Sequence, residues 1–144
     1  MKINVRTIIS SLVSVAVIVG FAHLAACKKN DPAPSATSKL TANNWVMQSV
    51  TVDGVDKTSL YAGLTIKFTA TAFTTTNGGA VWPATGTWHW TNNEQTVFER
   101  NDGLPVTAEV TDSTLKLSLV WAKNTLGGKV QSVAGNHIFN FVKQ

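Results

Sequence analysis

The sequence predicts an all-β domain of about eight short antiparallel strands. Apolar and polar residues alternate with a period of two through most of the chain after Leu40, as in residues 114–121 (TLKLSLVW). Turn-forming pairs such as Asp53-Gly54 interrupt the alternation at intervals of about eight to twelve residues, and helix signals are nearly absent. Strands joined by short turns form a meander, which we expect to close into a barrel; two packed sheets are the alternative.

Residues 1–26 have the three parts of a secretory signal. Lys2 and Arg6 precede an uncharged, mostly apolar stretch, residues 7–26, which ends in small residues. A membrane-spanning helix needs roughly 20 apolar residues, so an uncleaved anchor is the alternative. Both interpretations place the rest of the chain outside the cytoplasm, because positive residues before an apolar run stay inside.

Cys27 is the only cysteine among the 144 residues, and it directly follows Leu24-Ala25-Ala26. These four residues resemble the lipobox of bacterial lipoproteins. The resemblance implies that the Cys27 thiol carries a diacylglycerol and that cleavage before Cys27 removes residues 1–26. Two or more acyl chains such as palmitate on one residue anchor a protein stably. We therefore expect an outer-membrane lipoprotein that contacts the membrane through Cys27, on either the periplasmic or the surface side.

Residues 27–39 are predicted to form a flexible tether between the lipidated cysteine and the folded domain. Pro32 and Pro34 lack amide donors, the other side chains are mainly small or polar, and no apolar residue repeats. The chain therefore divides into a signal peptide at 1–26, a tether at 27–39 and one β domain at 40–144.

The β domain is predicted from alternation and from turn residues together. Threonine is frequent at the polar positions, where it suits the wet face of a sheet. Asn and Gly between the strands tolerate the positive φ that tight hairpins require. The predicted strands are residues 44–52, 63–69, 71–76, 85–91, 96–101, 105–111, 114–122 and 136–143.

Charge does not predict a nucleic-acid partner. The formal net charge is +4, but acidic and basic residues balance after Leu40 and form no basic stripe. Without such a stripe, the domain has no surface that would neutralise a phosphate backbone.

The residues that carry chemistry in other proteins are sparse here. His89 and His137 are the histidines after the signal peptide, and neither has a His or Cys two to five residues away, the short spacing that zinc ligands use. No Ser lies in a Gly-x-Ser-x-Gly turn, and Cys27 is expected to be acylated. We therefore expect a non-catalytic protein without a metal or another cofactor.

Five tryptophans are the strongest remaining signal. Large rings commonly fill the core of a small barrel, because each buries about 150–250 Å². Alternation places Trp88 and Trp90 on one face of their strand and His89 on the other. Trp82 lies in a turn-rich loop (GGAVWPATG), where it would either contact a ligand at the barrel mouth or plug the open end. The candidate ligand-binding residues are Trp82, Trp88, Trp90 and Trp121. The alternative is that Trp45, Trp88, Trp90 and Trp121 together form the core.

Residues 40–144 resemble the small lipocalin-like domains of Bacteroidetes lipoproteins. The resemblance rests on a Trp-bearing first strand (LTANNWVMQSVTVDG, 40–54), a Phe-Thr segment (IKFTATAFTTT, 66–76) and a mid-chain Gly-x-Trp (GTWHW, 86–90). It implies a lipocalin-like barrel that binds a small apolar or amphipathic ligand inside.

Two other functions fit the same sequence. The domain could be an accessory subunit that packs against another envelope protein. It could also be a sandwich-type glycan-binding module, which would need coplanar, exposed Trp rings on one sheet face. Two observations discriminate among the three functions: which Trp side chains are buried, and whether the domain contains a cavity.

Overall fold

The computed structural model describes residues 32–122 and 134–144, which fall within one compact unit, Pro32–Gln144. The predicted signal peptide, Cys27 and the first part of the predicted tether lie outside the described residues, as does the predicted turn at Gly127-Gly128. Within the described parts of the chain, no helix is long and apolar enough to cross a bilayer.

The described residues form two short helices and nine antiparallel strands. The elements are helix α1 (Ala36–Ala42), β1 (Asn44–Val52), β2 (Val55–Asp56), a 3-10 helix (Thr58–Tyr61), β3 (Thr65–Phe68), β4 (Ala72–Thr76), β5 (Thr85–Trp90), β6 (Val97–Arg100), β7 (Pro105–Val110), β8 (Thr114–Trp121) and β9 (Gly135–Lys143). Each strand from β3 to β8 pairs with the next, and β1 pairs with both β3 and β9, which closes eight strands into a barrel. The two-residue strand β2 pairs with the end of β1 and extends the sheet.

The closed barrel confirms the predicted all-β fold and fits a lipocalin-like architecture, whereas the two-sheet alternative is not formed. Each predicted strand is present, with bounds that differ by at most two residues. Strand β8 shows why: Leu115, Leu117 and Leu119 are buried, while the residues between them are half-buried. Side chains on successive residues of a strand point to opposite faces, so alternation in the sequence becomes an inner and an outer wall.

Helix α1 begins inside the segment that the sequence predicted as tether. Ser35 caps it, because its hydroxyl accepts a hydrogen bond from the Ser38 amide at 3.1 Å. Leu40 is fully buried, and its carbonyl accepts a hydrogen bond from Trp45 Nε1 at 2.9 Å. The folded domain therefore starts at Ala36 rather than at Leu40. A seven-residue helix is too short to give a periodic pattern in the sequence.

The two ends of the barrel differ. Helix α1 lies at one end, where Lys39 forms an ion pair with Asp112 at 3.3 Å and the Thr37 amide donates to Gln95 at 3.1 Å. We call this the closed end. The opposite end, which we call the open end, carries the segments from β1 to β3 (53–64), from β4 to β5 (77–84) and from β6 to β7 (101–104), and β8 ends there.

Candidate functional site

Packed aromatic rings fill the half of the barrel nearest the closed end. Trp88 lies edge-to-face against Phe68, Trp90 and Phe98, with ring centroids 5.1 to 5.8 Å apart. The Trp88 indole donates to the Thr69 carbonyl at 3.2 Å. These rings have their preferred edge-to-face geometry, so this half of the interior is a packed core.

The ring cluster continues toward the open end. Phe68 contacts Phe73, whose ring centroid lies 5.7 Å from that of Trp82. Trp82 in turn lies 6.0 Å from Phe139. All four side chains are at most 1% exposed. Aromatic contacts therefore run through the barrel interior from one end to the other.

The four tryptophans predicted to bind a ligand do not form one group. Trp88 and Trp90 lie together toward the closed end, where Trp90 Nε1 donates to the Thr37 hydroxyl of α1 at 2.7 Å. Trp82 and Trp121 lie on segments at the open end. All five tryptophans are among the described residues, and none is exposed. The exposed, coplanar rings that a sandwich-type glycan module would need are therefore not formed.

Arg100 is a charged side chain in the core at the open end. It is 2% exposed and occupies an inward position at the end of β6. Its guanidinium forms a two-point pair with Asp102, with Nε–Oδ1 at 3.2 Å and Nη2–Oδ2 at 2.6 Å. The Asp102 side chain is 34% exposed. The pair neutralises a cation that would be very costly to bury alone.

Arg100 also holds the segment from β4 to β5. Its Nη1 donates to the Val81 carbonyl at 2.6 Å, and its guanidinium carbon lies 5.0 Å from the Trp82 ring centroid. The Trp82 side chain is 1% exposed, and among the described residues its Nε1 has no hydrogen-bond acceptor. Of the two positions considered for Trp82, the structure places it as a plug at the open end. Arg100 contributes a cation–π contact to that plug.

A second polar pair lies nearby. Tyr61 and His137 are 3% and 0% exposed, and the Tyr61 hydroxyl lies 3.1 Å from His137 Nε2. His137 Nδ1 lies 3.1 Å from the Gly135 carbonyl, which can only accept. Nδ1 therefore carries the proton, and the Tyr61 hydroxyl donates to Nε2. Both side chains are satisfied within the fold.

Burial keeps both members of this pair uncharged. Desolvation raises the pKa of Tyr61 to about 12. Desolvation also lowers the pKa of His137, although its bond to Gly135 and the charge of Asp53 act in the opposite direction. A neutral imidazole that accepts from a neutral phenol is a structural arrangement, because neither group is poised to exchange a proton near neutral pH.

Other histidines and acids are dispersed. His89 is exposed on the outer wall, whereas Trp88 and Trp90 point to the inner side of the strand, as the alternation predicted. Within residues 32–122 and 134–144, no three His, Cys, Asp or Glu side chains are placed to hold a metal ion.

Exposed large apolar side chains of the described residues lie on segments at the open end. Val55 is 57% exposed and Leu60 is 40% exposed, both between β1 and β3. Val120, near the end of β8, is 64% exposed. The chain enters the domain at the closed end, so these side chains lie on the far side from the entry point.

Arg100 was not among the predicted site residues, although the strand pattern contains a signal for it. Arg100 follows Phe98 by two residues, so alternation places a charged side chain at an inward position. A buried charge among apolar neighbours is an exception that needs an explanation. Its contacts with Val81 and Trp82 could not be inferred, because they join segments that are distant in the chain.

Comparison of the chain with protein-family models, with curated proteins and with solved structures found no match. The function proposed below therefore rests on the residues and geometry of this chain.

Proposed function

We propose that this protein is a lipid-anchored, non-catalytic domain of the cell envelope that binds a partner protein through the open end of its barrel. The observation that carries the proposal is the filled interior. Phe68, Phe73, Trp82 and Phe139 are at most 1% exposed, and each ring contacts the next in that order. A barrel filled in this way has an outer surface as its principal binding surface.

The open end is the favoured surface because of where the chain enters. With acyl chains on Cys27, only four residues separate the anchor from Pro32, and α1 follows at the closed end. The chain therefore joins the domain at the closed end, and the open end with Val55, Leu60 and Val120 is the end far from that connection. A contiguous exposed apolar patch marks a surface that a partner covers, and we propose that these three side chains belong to one.

Absence of catalysis is supported by the way in which the buried polar groups are used. Arg100 is paired with Asp102, and His137 is hydrogen-bonded to both Tyr61 and Gly135. These groups satisfy each other, whereas a catalytic group must be free to reach a substrate.

Mass spectrometry of protein extracted from membranes tests the anchor. We expect a diacylated or triacylated Cys27 at the N-terminus and no residues 1–26. Cys27→Ser should lose the acyl chains and keep the signal peptide. An intact leader on the wild-type chain would contradict the proposal.

Photo-crosslinking in intact cells tests the binding surface. A photoreactive amino acid at Leu60 or Val120 should give the same cross-linked product, because both lie at the open end. Matched controls at Thr74 and Thr87 use exposed positions on the outer wall. Equal cross-linking from all four positions, or none from the open end, would count against a partner there.

Binding of a small amphipathic ligand is a second candidate function. One observation favours it: the buried Arg100 cation and the Trp82 indole, which has no acceptor within residues 32–122 and 134–144, lie together at the open end. This candidate requires the Trp82 side chain to leave the open end. Its test is a ligand-binding measurement and not cross-linking.

A further inference from the structure

The open end contains two features that a purely structural core avoids. Arg100 is buried as a cation, and Trp82 buries a donor that has no acceptor among the described residues. The guanidinium carbon and the Trp82 ring centroid are 5.0 Å apart, so both features occur at one place. Tryptophan normally finds a hydrogen-bond partner when it is buried. Local exceptions of this kind are most often functional.

The segment that carries Trp82, residues 77–84, is bonded to the barrel wall near its ends and to the barrel interior at its tip. The Thr75 hydroxyl of β4 donates to the Pro83 carbonyl at 2.7 Å, and Asn77 Nδ2 donates to the Gly63 carbonyl at 3.4 Å. Inside the barrel, Arg100 Nη1 donates to the Val81 carbonyl at 2.6 Å. The bonds near the ends of the segment could persist if another group replaced the Val81 carbonyl and the Trp82 indole inside the barrel.

We propose that residues 77–84 are a displaceable lid and that the Val81 carbonyl and the Trp82 indole occupy a binding site of the barrel. The complementary ligand resembles the two groups that it would replace. It has a flat apolar ring, like the Trp82 indole, and an oxygen acceptor, like the Val81 carbonyl. The ring takes the place of the indole between Phe73 and Phe139, and the oxygen accepts from Arg100 Nη1.

A carboxylate is the favoured acceptor. Arg100 now donates from Nη1 to a neutral carbonyl, and a hydrogen bond between two charged groups is shorter and stronger. Asp102 already accepts hydrogen bonds from the Nε and Nη2 edge of the guanidinium. Its side chain is 34% exposed and can keep water as a partner while a second anion approaches Nη1. The site therefore takes an aromatic carboxylate.

Trp82 gains from leaving the core. Its Nε1 would meet water and form the hydrogen bond that it lacks in the closed arrangement. The ligand must still replace the edge-to-face contacts of Trp82 with Phe73 and Phe139. Binding to the wild-type chain is therefore weaker than binding to a chain whose plug has been removed.

Calorimetry on the mature full-length protein in lipid nanodiscs tests this inference, with empty nanodiscs as the blank. The probes are 1-naphthaleneacetate and its neutral amide. We expect saturable binding of the acetate to the wild type and at least about tenfold tighter binding to Trp82→Ala. The acetate should bind about tenfold more tightly than the amide, because a charged partner strengthens the bond to Arg100.

Two variants make the result specific. Arg100→Gln in the Trp82→Ala background should remove the preference for the acetate and leave the ring site. Trp90→Ala is the matched control, because it removes an indole near the closed end, away from Arg100. Equal affinity for acetate and amide in Trp82→Ala would show an ordinary apolar cavity and overturn the inference.

Absence of acetate binding to the wild type would also overturn the inference, because the lid would then not be displaceable. The partner surface of the proposed function is tested by cross-linking from Leu60 and Val120. The two proposals can therefore fail independently.

Discussion

Tyr61 is the only tyrosine of the chain, and its hydroxyl is buried against His137. The pair shows how a barrel tolerates polar atoms in its core: each donor has one acceptor, and both groups stay neutral. Arg100 is likewise satisfied in the core, but by an ion pair with Asp102. At the scale of the residue, the two buried polar pairs are satisfied within the described part of the chain, whereas Trp82 Nε1 has no acceptor there.

Tyrosinate absorbance should rise with a midpoint near pH 12 in the folded protein, because burial raises the pKa of Tyr61 from 10.0 to about 12. The unfolded chain loses this proton near pH 10.0, so it binds fewer protons than the native state between these values. The free energy of unfolding should therefore fall as pH rises from 10 to 12. Spectra recorded soon after a pH jump, before unfolding, measure the midpoint. A midpoint near 10 would contradict the buried position, and Tyr61→Phe provides the blank.

Asp102→Asn should destabilise the domain by about 1–3 kcal/mol in urea unfolding. The substitution leaves the Arg100 charge buried without its counterion, which costs about 3–5 kcal/mol in a fully buried pair; the partial exposure of Asp102 lowers that cost. Glu109→Gln is the matched control, because the Glu109–Lys116 pair is exposed and should contribute under about 1 kcal/mol. Equal losses in both variants would show that the Arg100 pair is not a core interaction.

At the scale of the element, helix α1 and the Trp82 segment close the two ends of the barrel by different means. Helix α1 inserts Leu40 and receives hydrogen bonds from Trp45 and Trp90. The segment 77–84 inserts Trp82 and is held by Arg100. The first closure joins α1 to strand β1 and to the turn that follows β5, and it includes the Lys39–Asp112 ion pair. The second closure packs Trp82 between Phe73 and Phe139 beside Arg100, and it is the closure proposed to open.

Leu40→Ala should destabilise the domain by about 2–5 kcal/mol, because Leu40 is fully buried and its loss leaves a cavity under α1. Ser38→Ala, an exposed change in the same helix, should cost within about 0.5 kcal/mol. Denaturant unfolding of both variants measures the difference. Similar values for the two would mean that α1 does not close the barrel.

At the scale of the whole molecule, the ring cluster joins the two ends into one core. Trp90 lies toward the closed end and Trp82 at the open end, and Trp88, Phe68 and Phe73 connect them through successive contacts. A core without a break is expected to unfold as one cooperative unit.

Trp82→Phe and Trp90→Phe should therefore unfold in urea with one transition each, and with the same midpoint by fluorescence as by circular dichroism. Trp82→Phe lowers the share of the emission that comes from the open end, where Trp121 remains, and Trp90→Phe lowers the share from the closed end, where Trp88 remains. A separate transition at one end would therefore appear as a difference between the fluorescence midpoints of the two variants. Distinct midpoints would show that the barrel ends unfold independently.

Alternation and turn residues in the sequence predict the strands and the sheet faces to which their side chains point. The pleat sends successive side chains to opposite faces, so Leu115, Leu117 and Leu119 had to lie on one wall wherever β8 was placed. The same local rule predicted the opposite directions of Trp88 and His89. Turn residues marked where strands end, because positive φ is a local property.

Three features depend on contacts between distant segments and could not be read from the sequence. They are the closure of the sheet as a barrel, the inclusion of residues 36–39 in the fold and the burial of Trp82. Closure depends on the pairing of β1 with β9, whose residues are separated by most of the domain. Burial of Trp82 depends on Arg100, which belongs to another hairpin. These contacts are not encoded in any short window, because they form only when distant segments meet and exclude water from the space between them.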